Sequence, residues 1–146
     1  MIIKLAVLLP FFAAALIPLV HKFIKREQIG WFVLAVPIIL FALISSYIPH
    51  TANGKTFIHT LEWIPSLSIN FTTYLDGLSM IFGLLITGVG SLVILYSNFY
   101  LSAKESLHHF YCYLLLFMGA MLGVVFSDNL LVLYTFWELT SVSSFL

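Results

Sequence analysis

Charge is what this sequence lacks most. Only 8% of its 146 residues are Asp, Glu, Lys or Arg, where a soluble domain carries about 25%. With 62% hydrophobic residues and a mean hydropathy of +1.10, it cannot cover a globule with solvated side chains, so it belongs in a bilayer. The formal net charge is zero and no basic run occurs, which argues against a nucleic-acid partner. Cysteine is nearly absent. Cys112 stands alone in an apolar stretch, cannot form an internal disulfide, and reads as a small buried hydrophobe. There is no Walker motif, Gly-rich dinucleotide loop, CxxC pair or nucleophile elbow, so no cofactor, no metal and no redox centre are expected. Nor is there a small-residue cleavage site leading into a soluble domain, so the first apolar run reads as a retained span.

What is present is a series of apolar runs long enough to cross a membrane. A helix needs about 20 such residues to do so. Spans are expected at about 2–20, 30–48, 77–99, 110–126 and 129–146: an all-α membrane fold of about five transmembrane helices. Pro10 and Pro18 interrupt the first span, which membrane helices tolerate where neighbours satisfy the freed carbonyls. Trp31 and Tyr47 flank the second at interfacial positions. The one cationic cluster, His21 to Gln28, lies between the first and second spans. Ser79, Gly83, Thr87 and Ser91 recur at spacing four, as Gly119 and Gly123 do, giving small-residue stripes that let helices approach closely.

The single long polar connection, residues 49–75, alternates with period two. Phe57, Leu61 and Trp63 share one parity, and Ile69, Phe71 and Thr73 do the same beyond Pro65-Ser66. Two short strands, a β-hairpin-like element on the membrane surface, are expected there. Basic residues in short loops orient the whole. Lys22, Lys25, Arg26 and Lys104 against Lys4 and Lys55 put the first and third loops in the cytoplasm, and the N-terminus, the 49–75 connection and the turn at Ser127-Asp128 outside.

Candidate sites are few. Asp76 and Asp128 stand at expected helix starts, where capping accounts for each. His108 and His109, expected in a polar loop with Ser102, Lys104 and Glu105, lack a third ligand at metal spacing and read as an interfacial pair. Lys22, Lys25 and Arg26 read as topology and lipid-headgroup charges. Glu138 is different. A helix beginning at Asp128 carries it roughly 15 Å inward, near the middle of a hydrocarbon layer about 30 Å thick. An ionisable group at that depth costs a few kcal/mol and by default marks an ion or proton pathway. Its helical neighbours Tyr134, Thr135 and Ser141 offer hydroxyls; the bland reading is a neutral Glu packed on a neighbouring helix. Apart from Lys4 near the start of the first span, no lysine lies within the apolar spans to pair with it.

At Asp76-Gly77-Leu78-Ser79, and again at Phe136-Trp137-Glu138-Leu139-Thr140-Ser141, the chain resembles the N-terminal part of the large A subunit of Mrp-type (Mnh or Sha) multisubunit sodium/proton antiporters. That subunit is related to the antiporter-like subunits of respiratory complex I. The similarity is densest from Tyr74 to Leu146, through the run Phe110 to Met118 and Ser127-Asp128-Asn129. Complex I relatives usually follow the Trp-Glu pair with Gly rather than Leu-Thr-Ser. The resemblance implies an ion antiporter subunit rather than an enzyme, multi-pass in the bacterial plasma membrane. Its partners would be other antiporter subunits and membrane lipid, and H⁺ and Na⁺ would be the transported ions. It also implies that Glu138 is an essential carboxylate of the proton path, coupled to a lysine on a later helix. The A subunit is several times longer, so the chain is expected to be a truncated part of it. The alternatives are the proton-translocating membrane subunit of a complex I-like NADH dehydrogenase or membrane-bound hydrogenase, and a structural module in which Glu138 only packs.

Overall fold

The structure, a computed structural model, describes residues 2–20, 22–64, 69–101 and 106–146. Apolar runs become helices because a backbone without water must satisfy its own N–H and C=O groups. These are α1 (Ile2–Val20), α2 (Arg26–Ser45), the single turn α3 (Ile48–Thr51), α4 (Gly77–Tyr100), α5 (Leu107–Phe126) and α6 (Leu130–Phe145). Among the described residues, four helical stretches, in α1, α2 with α3, α4 and α5, are long and apolar enough to cross a membrane; α6, at 16 residues, is apolar and shorter.

The alternating connection forms strands β1 (Phe57–Ile64) and β2 (Ile69–Leu75), paired antiparallel from Phe57 opposite Leu75 to Ile64 opposite Ile69. The register slips between Glu62 and Ile64. The hairpin's own turn at Pro65-Ser66 lies outside the described residues, as do His21 and the 102–105 loop expected to hold Ser102, Lys104 and Glu105. On β2, Thr73 and Leu75 are buried and Phe71 half-buried, so one parity of the strand lies on the helices, as the pleat requires.

Helix α5 is the hub and packs on α1, α2, α4 and α6. Tyr111, Leu115, Leu122 and Phe126 are all at most 1% exposed and recur at spacings of four and seven along one side of the helix. Its glycines admit rings from neighbours. A Cβ on Gly119 would sit 2.9 Å from the Phe11 ring of α1, and one on Gly123 would collide with the Phe136 ring of α6. On α4 the stripe of Ser79, Gly83 and Thr87 is buried, and a Cβ on Gly83 would meet Phe126 at 2.7 Å. Thr87 and Ser91 donate their hydroxyls to carbonyls one turn back, each at 2.8 Å, the way small polar side chains stay satisfied in an apolar layer.

Both ends of the bundle are defined. Ile3, Ala6, Ile44, Tyr47, Leu75 and Phe126 line one small apolar cavity, so the start of α1, the end of α2, the end of β2 and the end of α5 meet there. At the other end Gly30, Asn98 and Tyr111 converge, joining the start of α2, the end of α4 and the start of α5.

Candidate functional site

Helix α6 carries the candidate carboxylate, and its start is set by the hairpin. Ser127 forms an isolated antiparallel bridge with Thr73, and the Asp128 N–H donates to the Thr72 carbonyl at 3.1 Å. Ser127 and Asn129 on either side of Asp128 have extended backbone, so the helix begins later than its first acidic residue suggests. Asn129, not Asp128, is the N-cap: its Oδ1 accepts from the Leu131 N–H at 3.0 Å. This corrects the expected cap and shortens the depth estimate. Glu138 lies eight residues beyond Leu130, about 12 Å along the axis, still in the middle of a 16-residue helix.

One edge of α6 is packed. Val132 and Ser143 are buried, and between them Phe136 is wedged against Gly123, with its ring centroid 6.3 Å from that of Phe11 and 6.0 Å from that of Phe71. One residue thus ties α6 to α1, α5 and the hairpin. Glu138 follows two positions later, about 200° round the helix, and is exposed. It shares an open groove with Leu130, Leu131, Leu133, Tyr134 and Trp137; none of these is cationic.

The hydroxyl-rich flank divides. Tyr134, one turn before Glu138, lines the same open groove as the carboxylate. The Thr135 hydroxyl instead donates to the Leu131 carbonyl at 2.9 Å, and those of Thr140 and Ser141 to the Trp137 carbonyl at 2.6 and 3.5 Å. Short hydroxyls reach their own helix's carbonyls one turn back more readily than a neighbouring carboxylate; the long phenol does not. Spacing alone treats the three alike.

The other candidates fall at the two ends. Asp76 caps α4 with a full capping box: its Oδ1 accepts from the Ser79 N–H at 2.8 Å, and the Ser79 Oγ accepts from the Asp76 N–H at 2.9 Å. Those bonds, the backbone N–H of Ser79 foremost, hold its carboxyl below its ordinary value. His108 and His109 lie inside the first turn of α5, not in a loop, and their rings are in contact, centroids 4.1 Å apart. His109 also meets the Ser106 hydroxyl at 3.1 Å and stacks on Tyr113. Among the described residues no three His, Cys, Asp or Glu side chains are grouped to hold a metal. Cys112 donates to the Ala14 carbonyl of α1 at 3.4 Å, the behaviour of a packed thiol. Lys4 departs from its expected place as a terminal charge. It is only 9% exposed within α1, because its stem shares a side of the helix with Val7 and Phe11, three and seven residues on.

Three comparisons bear on the site. A family described as the N-terminus of chain 5 of NADH-ubiquinone oxidoreductase (complex I) matches residues 63–111. The chain is 59% identical over 145 residues to the Na(+)/H(+) antiporter subunit A1 of Staphylococcus haemolyticus, and 57% identical to that of Staphylococcus aureus. Each alignment covers 99% of this chain and 18% of the relative, so the chain spans about a fifth of the length of these proteins. Among solved structures, the Mrp complex from Dietzia sp. DQ12-45-1b matches with a TM-score of 0.82 and 31% identity, covering 99% of this chain and 15% of that one. A chain of an archaeal membrane-bound sulfane sulfur reductase has the same fold, with a TM-score of 0.82 at 18% identity, covering 99% of this chain and 22% of that one. With bacterial antiporter subunits as relatives and several apolar helices of spanning length, the chain is a multi-pass protein of the cell membrane.

Proposed function

We propose that this relative of the sodium/proton antiporter A subunits is part of a multisubunit cation/proton antiporter, in which Glu138 carries protons taken up as Na⁺ leaves the cell. The observation that carries the reading is the placement of Glu138. It is a carboxylate midway along an apolar helix, about 12 Å from the helix start, on the face that the rest of the chain does not cover. A group buried only for packing would be expected on the edge occupied by Val132, Phe136 and Ser143. Charge retained at that depth is costly and is kept where ions move.

In this reading α6 crosses the membrane as the fifth span. The hairpin, the N-terminus and the 127–129 turn face outward, and the end bearing Lys22 and Lys25 faces the cytoplasm, following the excess of basic residues there. Protons reach Glu138 from water, and a cation on a helix outside this chain shares the site. Exchange of the proton between the two then follows from their mutual electrostatic influence. Other antiporter subunits are the proposed partners, with membrane lipid around them.

The test is Glu138→Gln in the full-length subunit within its complex, which keeps volume and hydrogen bonding but cannot ionise. Loss of Na⁺-dependent proton movement in everted vesicles, with assembly unchanged, supports the reading; wild-type exchange refutes it. A second reading, the proton-translocating membrane subunit of a redox complex, is favoured by the complex I match over 63–111. Co-purification of redox subunits with the full-length protein would decide for it.

A further inference from the structure

Lys4 is a charged side chain that the proposed mechanism leaves unused. It stands in the first turn of α1 and is 9% exposed. Val7 is buried and Leu8 exposed, so Lys4 sits on the border between the packed and the open side of the helix. Among the described residues no oxygen accepts a hydrogen bond or ion pair from its ammonium, and no side-chain nitrogen is wholly enclosed without a partner. The ammonium therefore keeps a narrow opening. Side chains on a helix lean toward its N-terminus, so that opening lies at the start of α1, where the first backbone N–H groups find no carbonyl within the helix. No acidic residue stands in the first turn of α1, and no described side chain accepts from those groups. Other acceptors at this end are engaged or turned outward: Asp76 caps α4, Asn129 caps α6 and Asp128 is exposed.

We propose that Lys4 and the free N–H groups at the start of α1 bind the phosphate of an anionic phospholipid in the leaflet on the hairpin side. An enclosed ammonium without a counter-charge is costly. A phosphate supplies that charge with several acceptor oxygens, and helix N-termini accommodate such groups. Depth agrees. Lys4 is two residues beyond Ile2, about 3 Å along a helix of spanning length, which puts its ammonium at headgroup level rather than in the hydrocarbon. The acyl chains also have a place. Leu5, Leu8, Phe12, Leu16 and Leu19 are exposed and recur at spacings of three and four, forming an apolar stripe from beside Lys4 along the whole of α1. A free phosphate would satisfy Lys4 and leave that stripe bare. Helices that pack closely in a membrane meet on small residues, as α5 meets α1 at Gly119; the stripe is built of large ones, which suits lipid.

The inference does not depend on Glu138, and its readout is bound lipid rather than ion exchange. The photoreactive residue p-benzoylphenylalanine is placed at Leu8 in the full-length complex, which is reconstituted in vesicles of phosphatidylglycerol and phosphatidylcholine in equal amounts and illuminated. Mass spectrometry of the adduct is expected to show phosphatidylglycerol enriched about tenfold, the ratio that one charge-assisted hydrogen bond supports. Lys4→Gln removes the charge, and the two lipids should then appear as they do in the vesicle; Lys4→Arg should retain the enrichment. Equal lipids in the adduct with Lys4 present overturn the inference, as does an enrichment that Lys4→Gln leaves unchanged. If Lys4→Gln does not assemble, the probe is moved to Ile81, exposed near the same end of the bundle on α4, and equal enrichment at the two positions overturns the inference. Excess inorganic phosphate that abolishes the enrichment assigns the site to a free anion and overturns the lipid. A crosslink to a protein subunit in place of lipid overturns it as well.

Discussion

Helices α5 and α6 lie side by side and are held by the same device, an aromatic ring against a glycine, yet their surroundings are opposite. On α5 the large side chains are inside: Tyr111, Leu115, Leu122 and Phe126 are almost fully buried, and four helices close around them. On α6 the large side chains are outside. Leu130, Tyr134, Trp137 and Phe145 are 58–91% exposed, and one edge with Phe136 at its centre makes the attachment. The hub is apolar and closed. The peripheral helix carries the carboxylate on its open side, where a change of charge disturbs no packing within this chain.

That difference is open to challenge by mutation. The largest effect is expected from Phe126→Ala, which removes a fully buried ring touching the Gly83 site. A loss of about 3–5 kcal/mol is expected, read as thermal unfolding of the full-length subunit in detergent. Gly123→Ala comes next. The added methyl collides with the Phe136 ring, and a penalty of about 1–3 kcal/mol is expected to fall on the docking of α6. Limited proteolysis at the 127–129 turn measures it, and cleavage no faster than wild type would mean that Phe136 is not the anchor.

The smallest effect concerns a helix end. Asp76→Ala removes the α4 capping box and should cost about 1 kcal/mol, while Asp76→Asn keeps an acceptor and should cost less. Because hydrogen bonds hold the Asp76 carboxyl below its ordinary value, its stabilisation is present above the ordinary carboxylate range. It is lost as pH falls through the lowered value. Acid unfolding of Asp76→Asn should therefore be less steep than wild type over that window, and equal slopes would contradict the assignment.

Much of this architecture is legible in the residues, and the exceptions share a cause. Apolar length locates the spanning helices, period two locates the hairpin, and Asp76 followed by Ser79 announces its own cap. All of these are local signals. The start of α6 is not local: Asp128 and Asn129 are equivalent as capping residues, and a bridge to Thr73, more than fifty positions earlier, decides between them. The burial of Lys4 likewise depends on packing that α1 alone does not reveal. At the site, depth and the isolated charge single out Glu138, whereas the division of its hydroxyl neighbours needs side-chain geometry. Tyr134 lines the groove beside the carboxylate, whereas the Thr135 hydroxyl finds a carbonyl of its own helix one turn back.

The central claim is that the open face of α6 carries a proton and its packed edge only holds it in place. Its most direct test is the initial rate of Na⁺-driven proton flux in proteoliposomes holding the purified full-length complex, with Glu138→Gln and Glu138→Asp compared at equal incorporation. The account predicts a rate at least about tenfold lower for Gln, as loss of a general acid–base group requires, and a partial rate for Asp, which still ionises. A Gln variant that pumps at the wild-type rate would contradict it.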